Sequence, residues 1–184
     1  MNLPNRLTML RVFLIPVFLC LFYLPFPGHF FFSLAVFIAA SLTDMLDGRI
    51  ARSRGLITDF GKFMDPLADK LLVVSALICL MDLKMVPALV AILLISREFL
   101  VTSLRLVAAP KGIVIAADRW GKYKTASQMV WISVALLLLA LSDLGIAVPG
   151  AGGINALLLA VVTLLTLLSG INYLFKNRGV LKDC

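Results

Sequence analysis

Apolar residues run along this chain in long stretches broken by short polar clusters, and six stretches reach the length of a membrane-crossing helix. Crossing a hydrocarbon core of about 30 Å takes roughly 20 mainly apolar residues. The pattern predicts spans at about 7–25, 30–48, 63–82, 85–107, 125–143 and 152–175. Turn chemistry separates them: "LPFPG" closes the first, Asp82 to Lys84 joins the third to the fourth, and "SDLGIAVPGAGG" divides the fifth from the sixth. The opening "MNLPNRLTMLRVFLIPVFLCLFYL" has the basic start and apolar run of a signal peptide. No small-x-small cleavage site follows, so it reads as a retained first span. The expectation is an all-α, polytopic membrane protein: one domain over residues 1–184, with no internal repeat and no low-complexity tract.

Composition agrees. The chain is 61% hydrophobic with a mean hydropathy of +1.04, far outside the range of a soluble domain. Its formal charge of +7 would suggest nucleic acid in a soluble protein. Here it reads as an orientation signal and as a means of binding anionic, phosphate-bearing substrates, so no nucleic-acid partner is expected. Sixteen of the seventeen Lys and Arg fall on one side of the six predicted spans, and only Lys84 falls on the other. Both termini and the charged loops are therefore expected to face the cytoplasm. Cys20, Cys79 and Cys184 are too few and too scattered for a disulfide framework or a zinc site. His29 and the pair Trp120 and Tyr123 read as interfacial residues.

The polar cluster "SLTDMLDGRIARSRGLITDFGKFMDPLADK", residues 41–70, changes the picture. Asp44 and Asp47 are three apart and Asp65 and Asp69 four apart, so each pair shares a helix face. Two such helices can turn four carboxylates toward one another. A carboxylate at the bilayer centre costs roughly 2.5–3.5 kcal/mol on insertion scales, and four together also repel, so a cation is required. Arg49, Arg52 and Arg54 are nearby, but hard divalent cations fit better, because every candidate ligand is an oxygen. Four carboxylates can hold two such ions, the arrangement used for in-line displacement at phosphorus. Gly48, Ala51 and Gly61 fall beside the acids on the helical wheel. Two readings stay open for them: close approach of a flat ligand, or tight packing between helices.

The order Asp44-x2-Asp47-Gly48-x2-Ala51-Arg52-x8-Gly61-x3-Asp65-x3-Asp69 resembles, without a departure, the signature of the CDP-alcohol phosphatidyltransferases. The resemblance implies a six-span membrane enzyme, usually a homodimer, with a polar cavity open to the cytoplasm and an N-terminal interfacial helix before the first span. It implies transfer from CDP-diacylglycerol or a CDP-alcohol to an acceptor hydroxyl, with release of CMP. By the same resemblance, Asp44, Asp47, Asp65 and Asp69 hold two divalent cations, Mg2+ or Mn2+, and Asp69 is also the general base. Gly48, Ala51 and Gly61 would face the cytidine and Arg52 the diphosphate; an arginine at this boundary can equally be an orientation signal. Asn5 and Thr8 of "LPNRLTMLR" would reach the nucleotide, although Pro4 and Asn5 also suit a plain helix start.

A second polar stretch, "SREFLVTSLRLVAAPKGIVIAADRWGKYKTASQM", holds Arg97, Arg105, Arg119, Lys122 and Lys124, with Glu98 the only glutamate of the chain. Such a group can hold an acceptor's phosphate or anchor the cytoplasmic face. In "REF", "TSLR", "GKYKT" and the ending "SGINYLFK" the chain resembles one branch of the family, the bacterial phosphatidylglycerophosphate synthases. That resemblance implies CDP-diacylglycerol as donor, sn-glycerol 3-phosphate as acceptor and a place in the bacterial cytoplasmic membrane. The rival acceptor is an inositol phosphate. A divalent-cation transporter is a different class, disfavoured by acids at the span ends and by the absence of a repeat.

Overall fold

The computed structural model describes the backbone of residues 3–54, 59–108 and 119–178, and there the side chains of all but 3–7, 44–54, 59–63, 65, 66 and 69. The described residues form six α-helices and no strand: α1 (Leu3–Tyr23), α2 (His29–Arg54), α3 (Asp59–Asp82), α4 (Ala88–Ala108), α5 (Arg119–Asp143) and α6 (Ala151–Lys176). They sit where the apolar pattern places them, but several run further. α2 continues to Arg54, and α5 starts at Arg119 rather than near 125. An apolar-run criterion sees only the hydrocarbon-matching part of a helix, and both extensions are polar. The separate interfacial helix expected at the N-terminus is not formed. Leu3 to Tyr23 is one helix, because the row Thr8, Arg11, Ile15, Phe18 and Phe22 keeps a single buried face throughout.

α5 and α6 are long and apolar enough to cross a membrane, with mean hydropathies of 1.8 and 2.3. The apolar stretches Thr8–Tyr23 of α1 and His29–Thr43 of α2 are shorter. Large apolar side chains face outward on all six helices, among them Phe13, Phe31, Ile78, Leu89, Val130 and Phe175. An apolar exterior of this extent is a lipid-facing surface rather than the surface of a monomer in water.

α1, α2 and α3 pack on one another, and α6 packs on α4 and α5; α2 against α5, with α3 against α4 and α5, joins the two groups. Phe18, Phe37, Leu72, Leu77, Leu94 and Trp131 meet in one core. The turns at one end are tied together. Gly28, with a φ of 79° that favours glycine, donates its N–H to Asp143 Oδ2 at 2.7 Å. Asn155 bridges three elements: it accepts from the Trp131 indole at 3.0 Å and donates to the Met85 carbonyl at 2.9 Å. Beside that bridge lies a cavity of about 920 Å³, lined by Leu138, Leu159, Leu164 and other mainly apolar residues, with Lys84 at its edge. It lies at the opposite end from the aspartate positions and gathers no titratable cluster.

The Asn155 bridge gives a stability prediction. Asn155→Ala leaves a fully buried indole N–H without its acceptor and should cost about 1–3 kcal/mol. A lowered midpoint of thermal unfolding in detergent is the expected result; an unchanged midpoint would show that the bridge contributes nothing.

Candidate active site

Three inward-facing rows change character at the same end of the bundle. On α1 the buried row passes from Phe22, Phe18 and Ile15 to Arg11 and Thr8, the last two fully buried. On α2 the row through Phe37 and Ala40, both fully buried, continues at helical spacing through positions 44, 47 and 51. On α3 the row through Leu77 and Val73 continues in steps of four to positions 69, 65 and 61. The backbone therefore puts Asp44, Asp47 and Ala51, with Gly48 beside them, and Gly61, Asp65 and Asp69 on the extensions of buried faces of two helices that touch. Their side chains, and those of Asn5 and Arg52, lie outside the described residues.

The donor set of these helix halves is all oxygen. The histidine and cysteine of α2 and α3, His29 and Cys79, belong to the opposite ends. Ligands of this kind fit a hard divalent cation and not zinc.

Arg11 is a residue that sequence reasoning missed, having counted only as an orientation signal. Tyr23 and His29 flank the turn of the α1–α2 hairpin, and Arg11 and Ser41 both lie twelve residues from it, about 18 Å at 1.5 Å per residue. A fully buried guanidinium thus stands about one turn from the level of Asp44. The signal was available: Thr8, Arg11 and Ile15 share the spacing of the row that holds Phe18 and Phe22.

The second cluster is described in full. Glu98 on α4 accepts hydrogen bonds from Lys124 Nζ of α5 and from Arg97 Nη1, the latter at 3.3 Å. Lys124, fully buried, also donates to Gln128 Oε1. That leaves the Gln128 amide nitrogen buried without a hydrogen-bond partner among the described residues. Arg97 Nη2 donates to Ser169 Oγ of α6. Helix glycines make this crossing close: a Cβ at Gly121 would stand 3.5 Å from Arg97 Nη2, and one at Gly170 3.4 Å from Arg97 Cγ. Arg105 reaches α6 one turn further on, its Nε donating to the Tyr173 hydroxyl at 3.2 Å and its guanidinium 5.7 Å from the ring centre.

The five basic residues expected to meet an acceptor phosphate are thus not equivalent. Arg97 and Lys124 are drawn inward by Glu98, Arg105 is held by Tyr173, and Arg119 and Lys122 are exposed on the first turns of α5. Glu98, Gln128, Ser169 and Tyr173 were not predicted. Glu98 could have been found, since an ionisable residue inside an apolar helix marks a functional position by default. Its partner could not, because Lys124 lies 26 residues away on another helix.

A small cavity lies between α3, α4 and α5. It is lined by Glu98, Gln128 and Thr125 together with Lys70 of α3, the residue that follows Asp69.

Comparison with known proteins bears on the whole chain. The profile of the CDP-alcohol phosphatidyltransferase family matches residues 1–172. The chain is similar to the CDP-diacylglycerol--glycerol-3-phosphate 3-phosphatidyltransferase of Bacillus subtilis, with 44% identity over 98% of this chain and 97% of that one. Proteins of the same name from Haemophilus influenzae and Rickettsia typhi are 38% and 37% identical, covering 99% and 94% of this chain and 96% and 94% of theirs. On that evidence the chain belongs to the CDP-alcohol phosphatidyltransferase family.

Proposed function

We infer that the protein transfers the phosphatidyl group of CDP-diacylglycerol to a hydroxyl of sn-glycerol 3-phosphate, giving phosphatidylglycerophosphate and CMP. The observation that carries this reading is similarity along nearly the full length of both chains to relatives named for that reaction. The position of the four aspartates on the extensions of buried rows supports it.

In this reading Asp44, Asp47, Asp65 and Asp69 hold two divalent cations, Mg2+ or Mn2+. Such ions supply charge neutralisation for the diphosphate and for the departing CMP. The acceptor oxygen bonds to the lipid-side phosphorus as the bond from that phosphorus to the CMP oxygen breaks. The hydroxyl proton passes to the Asp69 carboxylate, and CMP leaves as a phosphate monoester. Gly48, Ala51 and Gly61 give the cytidine a close backbone surface, Arg52 meets the diphosphate, and Asn5 and Thr8 face the nucleotide. The acceptor's phosphate is drawn by the exposed Arg105, Arg119 and Lys122, with Arg97 and Lys124 behind them. Alignment and electrostatic stabilisation carry most of such a transfer.

The six helices are read as six spans, with both termini and the aspartates toward the cytoplasm of a bacterial cell and the protein a homodimer in its membrane. The asymmetry of Lys and Arg supports the orientation.

Purified protein supplied with CDP-diacylglycerol and magnesium should release CMP with glycerol 3-phosphate and not with serine or free inositol, and chelation should stop it. Turnover with inositol phosphate alone would overturn the acceptor and leave the donor chemistry standing. Asp69→Asn should lower turnover by about 10²–10⁴-fold, the usual worth of a general base, with CDP-diacylglycerol binding kept; loss of binding would make Asp69 chiefly a ligand. Lys122→Ala should raise the KM for glycerol 3-phosphate roughly tenfold, the worth of about 1.4 kcal/mol of a charged hydrogen bond. An equal rise in the KM of both substrates would count against contact with the acceptor.

A further inference from the structure

The assigned residues divide by chemistry between the helices, although α2 also packs closely on α5. Every residue assigned to the donor lies on α1, α2 or α3, which pack as one group, whereas the basic residues assigned to the acceptor lie on α4 and α5, with α6 packed behind them. Glu98 stands where the second group is knotted together. Its carboxylate gathers Lys124 from α5 and Arg97 from α4, and Arg97 carries the connection to Ser169 on α6. The same carboxylate shares a small cavity with Lys70, one residue beyond Asp69. Lys124 is fully buried and lies two residues from the exposed Lys122 on α5. α5 is seated on α6 and α2, and the bond from Lys124 to Glu98 is what ties its first turns to α4.

We propose that Glu98 is a positioning residue for the acceptor half of the site: by clamping Lys124 and Arg97 it sets the first turns of α5 at a fixed distance from the Asp69 turn of α3. It touches neither substrate. It determines where an acceptor anchored by its phosphate presents its hydroxyl, while the donor, held by α1 to α3, is indifferent to it. The proposal rests on the reading that glycerol 3-phosphate is the acceptor.

A simple structural pair and a positioning pair predict different kinetics. Glu98→Gln keeps an oxygen acceptor and removes the charge. It should raise the KM for glycerol 3-phosphate tenfold or more, with less than a twofold change in the KM for CDP-diacylglycerol. Glu98→Asp, which keeps the charge on a shorter stem, should recover part of that loss. Removal of one member of a buried pair can also unfold a protein. Glu98→Asp, which keeps the pair, therefore serves as the second arm: it should unfold in detergent at a temperature close to wild type and show an acceptor KM between those of wild type and Glu98→Gln. Wild-type acceptor KM in folded Glu98→Gln, or an equal rise for both substrates in either variant, would overturn the proposal. Failure of the wild-type protein to use glycerol 3-phosphate would instead overturn the acceptor reading beneath it.

Discussion

Charge inside an apolar bundle must meet opposite charge or hydrogen-bonding partners, and this constraint organises the molecule. Buried polar residues gather toward one end: Arg11 and Thr8 on α1, Glu98 half-buried on α4, Gln128 and Lys124 on α5, Thr166 and Ser169 on α6, with a small apolar cluster of Val101, Leu104 and Tyr173 beyond them. Hydrocarbon contact around Phe18, Phe37, Leu77 and Trp131 holds the middle of the core. Toward the Glu98 end directional bonds between helices join it, the Glu98–Lys124 and Arg97–Ser169 pairs among them. Hydrocarbon contact tolerates small shifts of one helix against another, whereas a carboxylate with two cationic partners specifies a register. On the proposed reading, the end of the bundle that places the reacting atoms carries such a register-setting group in Glu98.

Much of this could be read before any coordinates. The helices were legible because apolar runs of membrane length are hard to place in any other structure. The aspartates stood out as a candidate site because four acids at helical spacing, beside small residues, have few other uses. The structure adds that α2 runs unbroken to Arg54, so the α2 members of the signature share one helix. What sequence could not supply was pairing across helices. Arg97 and Ser169 are 72 residues apart, and no local pattern announces such a partner. The expected interfacial helix failed for a related reason: a polar, proline-bearing start resembles a boundary until the buried row through Thr8 and Arg11 shows that it is not one.

The pairing changes what a basic cluster means. Counted along the chain, Arg97, Arg105, Arg119, Lys122 and Lys124 are five equivalent cations. In three dimensions Arg97 and Lys124 share the carboxylate of Glu98, and the aromatic face and hydroxyl of Tyr173 hold Arg105. On the proposed reading, a phosphate arriving from water meets Arg105, Arg119 and Lys122 first, because these are the exposed members. Lys124 lies on the buried side of the same turns, where its contribution is to orientation as much as to charge. The net positive field of the cluster still steers an anion toward this end of the bundle. On the proposed reading, where that anion stops is set by the only glutamate of the chain, a residue that carries the wrong sign to bind it.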